Sequence, residues 1–133
     1  MAAPVLQLRV AITAEDYQSV LAFYRDGLGL DPAADWSDEH GHGVMFAMGS
    51  GTLEVFDEPY AANVDRIEVG QRVSGHIRFA LQVPDLDAAI RRLKANRATV
   101  VREPITTPWG DRNARVRAPD GLHVTLFQVL DKG

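Results

Sequence analysis

Two arginines stand at matching places in the two halves of the chain: Arg9 in LRVAITAEDYQSVLAFY and Arg78 in IRFALQVPDLDAAIRRL. A guanidinium holds its donors in a rigid fork, stays protonated and has no lone pair. It captures a carboxylate, phosphate or carbonyl oxygen and does not ligate a cation. Trp36 in ADWSDE and Trp109 in TTPWGD lie among turn residues, away from any core periodicity. Each offers either a flat face to a planar ligand or an anchor for its own loop. His40 and His42, in DEHGHGV, form an H-x-H pair beside Asp38 and Glu39 that can bind a metal in principle. The flanking glycines mark a turn, and the stretch reads as a solvated loop. There is no cysteine, which excludes disulfides and thiolate metal sites.

The elements that must position these residues occur twice. Setting Arg9 on Arg78 is a shift of 69 residues (78 − 9 = 69), and it also aligns Leu8 with Ile77, Ala11 with Ala80, Ile12 with Leu81 and Asp16 with Asp85, without a gap. That pattern of residue types reads as a duplicated unit. Each copy opens with a strand: Leu6, Leu8, Val10 and Ile12 alternate with Gln7, Arg9 and Ala11, the period of a two-faced sheet. Asp16 and Asp85 stand where a helix N-cap is wanted. The spacing then predicts helices that face the sheet through Tyr17, Val20, Leu21 and Tyr24 in one copy and Leu86, Ile90 and Leu93 in the other. Gly27 or Gly29, in GLGL, supplies the first helix's left-handed stop. GVMFAM, the turn GSG and TLEVF give a hairpin; ATVVREP, RNARVRA, the turn PDG and LHVTLFQVL give the later strands. The expectation is an α+β fold in a single domain of two βαβββ modules, at about 5–58 and 75–130. The polar, aperiodic connector at about 59–74 reads as a loop.

At 133 residues the chain can bury a sound core. A net charge of −4, mixed in sign along the chain, gives no reason to expect nucleic acid as a partner. No segment approaches the roughly 20 apolar residues of a membrane span. The start, MAAPVLQLRV, lacks a secretory signal's charged and apolar regions. The default expectation is a cytoplasmic protein with no membrane partner.

LAFYRDGLGL in the first half, with VPDLDAAIRRL, EPITTPWGDR and APDGLHVTLFQ in the second, resembles the vicinal oxygen chelate superfamily. That superfamily includes glyoxalase I, extradiol dioxygenases and bleomycin-resistance proteins. The resemblance covers nearly the whole chain. It implies sheets curved around a cavity and a homodimer. In the superfamily's enzymes a divalent metal is held by a His on each first strand and a Glu on each last strand. Carried over position by position, the His places fall on Arg9 and Arg78 and the Glu places on Glu54 and Thr125. Only one of the four survives, so the resemblance implies that the usual metal site is lost and no cofactor is expected.

Three readings of the cavity follow from the resemblance. The leading one is a metal-independent binder, closest in type to the bleomycin-resistance proteins, that sequesters an aromatic or anionic natural product as in antibiotic resistance. Its contacts would be Arg9, Trp36, Glu54, His76, Arg78, Trp109, His123 and Thr125. Arginines toward the cavity suit an anionic or aromatic ligand better than a cationic drug. In this reading Arg9 and Glu54 replace the metal with an ion pair, and Arg78, with no carboxylate on these strands, is free to fork onto the ligand. The second reading is a metal-dependent lyase, isomerase or dioxygenase with a displaced site at Glu54, His76 and His123. The third is a metal-free isomerase or cyclase with Glu54 as base, disfavoured because an adjacent Arg9 would lower the carboxyl pKa.

Overall fold

The computed structural model describes residues 4–130. The first module runs β1 (Gln7–Ala14), α1 (Tyr17–Ala22) with a π-helical extension (Phe23–Gly27), β2 (Ala34–Asp35), β3 (Gly43–Met48) and β4 (Gly51–Asp57). A connecting helix, α2 (Glu58–Val69), leads to β5 (Ile77–Gln82), α3 (Leu86–Ala95), β6 (Thr99–Thr106), β7 (Asp111–Arg117) and β8 (His123–Val129). The strands form one curved, unclosed sheet in the order β2-β3-β4-β1-β5-β8-β7-β6. This is the α+β arrangement that the repeated pattern implies.

The repeat becomes a two-fold relation at the centre of the sheet. β1 and β5 are antiparallel, with Arg9 opposite Ala80 and Ala11 opposite Arg78. On the outer side of each, the partner strand is parallel: Glu54 of β4 pairs with Ala11, and Thr125 of β8 pairs with Ala80. The alternation of a strand sends neighbouring residues to opposite faces. Thus Val55 and Leu126 turn to the helices while Glu54, Phe56, Thr125 and Phe127 turn to the other side.

Each helix covers the outer face of its own module. Tyr17 and Leu21 of α1, helped by Val20 and Tyr24, pack on Val44, Phe46 and Val55. Leu86 and Ile90 of α3, with Leu93, pack on Ala114, Val116 and Leu126. Burying side chains of this size contributes roughly 1.5–3 kcal/mol apiece. Asp16 and Asp85 accept hydrogen bonds from the Ser19 and Ala88 amides at 3.1 and 3.0 Å, as N-caps should. Gly49 (φ +61°) makes the tight link from β3 to β4.

The connector is the correction. Residues 58–69 are helical, not a loop. Asp57 caps the start by accepting from the Tyr60 amide at 3.0 Å, Pro59 fits the first turn, and Gly70 (φ +87°) closes the end on the carbonyls of Asp65 and Arg66. The helix shows no apolar stripe because its buried face carries Asp65 and Glu68 beside Ala61. These acids are paired with arginines, so a search for apolar periodicity passes over them. Among the described residues no helix is long and apolar enough to cross a membrane.

Candidate functional site

The concave face of the sheet encloses a cavity of about 440 Å³. Its floor is set by the two-fold: Arg9 and Arg78, Ala11 and Ala80, Glu54 and Thr125, and Phe56 and Phe127 all line it, one of each pair from each module. Arg9 and Ala11 of β1 and Arg78 and Ala80 of β5 share this face, and the small side chains of Ala11 and Ala80 leave space between the longer ones. Glu54 and Arg78 are both register partners of Ala11, on its two sides. Their Cα atoms are therefore on the order of 10 Å apart across one intervening strand.

The two ends differ. At one, Trp36, Tyr60 and Val64 pack around Ala11, Phe56 and Ala61 under α2. At the other, Trp109 stands in the β6–β7 turn, 43 % exposed at the rim, with Asn113 and Asp111 registered against Phe127 and Val129. Tyr60 has its hydroxyl pKa raised to about 12, by burial first and then by Asp38 and Glu54, so it is a neutral hydrogen-bonding group.

Arg78 is 7 % exposed, and it has a carboxylate partner after all: Asp65, on α2 and wholly buried, with 3.0 Å between Nη1 and Oδ1. The correction has a plain origin, since the partner comes from the connector and not from the strands of the repeat. Asp65 accepts from the amides of Val73 and Ser74 at 2.9 and 2.8 Å, from Ser74 Oγ at 2.7 Å and from Arg72 Nη1 at 3.1 Å, and it lies 3.7 Å from Arg115. Burial pushes its carboxyl up, but Arg78 and these hydrogen bonds outweigh burial and hold it below its ordinary value of 3.8. Arg115, 1 % exposed, is taken up by Glu68 at 2.8 Å, Ser74 Oγ at 2.7 Å and Thr125 Oγ1 at 3.1 Å. Thr125 in turn donates to Glu68 at 3.0 Å, so one network ties α2 to β7 and β8.

The pairing of Arg78 is incomplete. Burial lowers its pKa, and the nearby Asp65 and Glu68 only partly offset this. An arginine remains protonated regardless. The close approach to Asp65 is an ion pair out of line for a hydrogen bond. Nε and Nη1 of Arg78 are buried donors without an acceptor, and Nη2 reaches the Ala61 carbonyl at 3.4 Å. A buried donor in this state costs about 1–3 kcal/mol, and at Nη1 the attraction of Asp65 at 3.0 Å offsets part of that. Asn113 Oδ1 is a buried acceptor in the same condition at the far end.

Glu54 also departs from the sequence-based expectation. Among the described residues no ion pair joins it to Arg9. Arg9 donates to Gln7 Oε1 at 2.7 Å and lies over the Phe127 ring at 4.3 Å. The hydrogen bond to Glu54 comes from Thr52 Oγ1, at 3.2 Å. Burial raises the Glu54 pKa above its ordinary 4.5, and attraction from Arg9 and the Thr52 bond only partly offset this. Arg9 thus acts on Glu54 as the sequence suggests, but without an ion pair its effect is outweighed by burial.

The histidines do not join the site. His76 is exposed and His123 half-buried, and neither lines the cavity. The His123 ring has its pKa lowered by burial, Arg115 and Arg117, and its Nδ1 stands 3.5 Å from Arg115. His42 stacks on Tyr17 at 5.4 Å, and His40 approaches Glu39 at 3.5 Å on the surface. Among the described residues no three His, Cys, Asp or Glu side chains are grouped to hold a metal. At the family's metal positions the donors are two guanidiniums, a hydroxyl committed to Glu68 and one carboxylate. That set does not fit a divalent cation, because the arginines have no lone pair and repel it.

A family model for the Glyoxalase/Bleomycin resistance protein/Dioxygenase superfamily matches residues 7–126. The chain belongs to this superfamily. No curated protein matches the sequence. Similar solved structures include a member of the same superfamily from Vibrio splendidus 12B01 (13 % identity, TM-score 0.66, covering 91 % of this chain and 97 % of that one). They also include a methylmalonyl-CoA epimerase from Mycobacterium tuberculosis (18 %, 0.64, 99 % and 95 %) and a hypothetical protein from Bacillus halodurans C-125 (16 %, 0.64, 97 % and 96 %). At these identities the likeness concerns the fold.

Six of the sequence-predicted site residues, Arg9, Trp36, Glu54, Arg78, Trp109 and Thr125, come together around this superfamily cavity. Tyr60, Val64 and Glu68 were missed, although their spacing of four is a helical face. Asp111 and Asn113 were missed too, and their alternation with Arg115 in DRNARVR was the available signal.

Proposed function

We propose that this superfamily member binds a small, partly planar organic molecule through an oxygen of that molecule on Arg78, without a divalent metal at the family's positions. The observation that carries the reading is the Arg78 guanidinium in the wall of a cavity that five aromatic side chains also line. Trp36, Phe56 and Tyr60 at one end and Trp109 and Phe127 at the other offer faces for a ring, and the guanidinium supplies charge-assisted hydrogen bonds. An aromatic or anionic natural product fits this chemistry, and sequestering an antibiotic is the cellular role that such binding would serve.

Tryptophan emission tests it, since Trp36 and Trp109 are the protein's two indoles and both line the cavity. Titration with a panel of aromatic acids, phenols and quinones should give saturable changes with at least one class, at micromolar to nanomolar affinity, roughly −8 to −12 kcal/mol. Arg78→Lys should weaken that binding. No saturable change across the panel contradicts the reading.

A further inference from the structure

The charges of the cavity wall do not all find a partner. The lining carries two cations, Arg9 and Arg78, and three acids, Glu54, Glu68 and Asp111. Arg78 is answered by Asp65 and Glu68 by Arg115, and Asp111 is partnered as well. Among the described residues Arg9 makes no ion pair; its contacts are with Gln7 and Phe127. Glu54 feels its attraction, but burial still drives that carboxyl toward the neutral form, so it does not cancel the guanidinium. We propose that Arg9 is the anion subsite of the cavity and that the ligand it selects is an aromatic carboxylic acid in its monoanionic form. The proposal rests on the small-molecule reading above and names the class of ligand.

The Arg9 guanidinium is held by one flank and by its plane, which leaves its far edge open. Nε donates to Gln7 Oε1 at 2.7 Å, and Cζ lies over the Phe127 ring, 4.3 Å from its centre. These two contacts orient the fork before a ligand arrives. Nη1 and Nη2 donate to nothing among the described residues. They are not enclosed as Nε and Nη1 of Arg78 are, since Arg9 is half-buried and lines the cavity. Two parallel N–H bonds to the two oxygens of a carboxylate are what such an edge offers.

The rest of the wall decides what the carboxylate is attached to and how much charge it carries. Phe127 is the register partner of Asn113 on β7, the strand that follows the Trp109 turn. A ring joined to the carboxylate therefore has the Trp109 indole at the same end of the cavity. A phosphate dianion would bring its second charge among Glu54, Glu68 and Asp111, which disfavours it. A neutral carbonyl accepts the hydrogen bonds but leaves the cation without a counter-charge. The monoanion meets both conditions.

Isothermal titration of the full chain with 2-naphthoate and 4-hydroxycinnamate, each beside its methyl ester, tests this. The ester keeps the ring and a carbonyl oxygen and removes the charge. At least one acid should bind saturably, with its ester about 10- to 100-fold weaker, the range of charge-assisted hydrogen bonds. Arg9→Gln should lower the acid's affinity by a similar factor and bring acid and ester to within about threefold of each other, as a double-mutant cycle requires. Arg9→Lys, which keeps the charge without the fork, should fall between the two. Arg9 makes no ion pair whose loss would unfold these variants, and circular dichroism checks them. Equal binding of acid and ester by the unaltered protein overturns the proposal. So does an Arg9→Gln variant that still prefers the acid, or phenyl phosphate dianion binding more tightly than either acid. Neutral phenols or quinones that bind while both acids fail also overturn it and leave the small-molecule reading standing. No saturable binding by any of these compounds counts against both.

Discussion

Asp65→Asn is the sharpest test of how the site is assembled. The side chain is wholly buried and answers Arg78 at 3.0 Å, Arg115 at 3.7 Å and Arg72 at 3.1 Å. Asparagine keeps the shape and can still accept from the Val73 and Ser74 amides, so those bonds are largely preserved. What it loses is the charge. Arg115 retains Glu68 at 2.8 Å and Arg72 retains Glu58 at 2.8 Å, which leaves Arg78 as the cation without a partner. Removing one member of a buried pair costs about 3–5 kcal/mol, and the surviving bonds place this case near 3. That is a large share of the 5–15 kcal/mol that holds a domain together. For a chain of this size each kcal/mol moves Tm by roughly 3–5 °C, so thermal unfolding followed by circular dichroism should show a fall on the order of 10–15 °C. Adding Arg78→Met removes the stranded charge, and the double variant should recover at least about 1.5 kcal/mol relative to the sum of the singles. A fall below about 3 °C for Asp65→Asn, or additivity in the double variant, would refute the claim that α2 neutralises the site.

Glu54→Gln should raise Tm at neutral pH. A carboxyl whose folded pKa is raised contributes fully below its ordinary value of 4.5 and loses that contribution as pH rises through the folded value, so the gain should vanish toward pH 4. Besides burial, the groups setting this balance are Arg9, Thr52, Glu68 and Arg78, and a Tm gain that is flat with pH contradicts it. Ala80→Leu, which fills the floor between Arg9 and Thr125 without altering a charged group, should abolish ligand-dependent changes in tryptophan emission while leaving the circular dichroism spectrum intact; undiminished binding would place the ligand elsewhere. A homodimer is proposed from the family resemblance and from Leu6, Leu8 and Ile77, which are exposed on or beside the central strands. Sedimentation should give twice the 14.6 kDa chain, and a monomer at high micromolar concentration would contradict it.

The repeat carried most of what the sequence could show. Once Arg9 is set on Arg78, alternation puts Ala11 and Ala80 on the arginines' face, the family resemblance adds Glu54 and Thr125, and the structure brings them to one cavity. The helices α1 and α3 were legible because their buried faces are apolar at helical spacing. α2 was not, because charged pairing does there what apolar packing does elsewhere. Its Asp57 cap, Pro59 and Gly70 were the surviving marks, and they show only the ends of a helix, not which face is buried. The same concealment hid the partner of Arg78. Asp65 lies 13 residues earlier (78 − 65 = 13), in a segment outside the duplicated units. The Glu54 reading failed for a related reason. The family positions that Arg9 and Glu54 occupy imply that they meet, but Arg9 is taken up by Gln7 and the Phe127 ring.

The central claim is that guanidiniums have taken over the metal's place. It is tested by titrating EDTA-stripped protein with a ligand identified by tryptophan emission, with and without added zinc, nickel, manganese or iron(II), while metal content is measured on the same samples. The account predicts the same saturable binding in every sample and no stoichiometric metal retained after desalting. One equivalent of tightly held metal, with binding that appears only when that metal is restored, would contradict it.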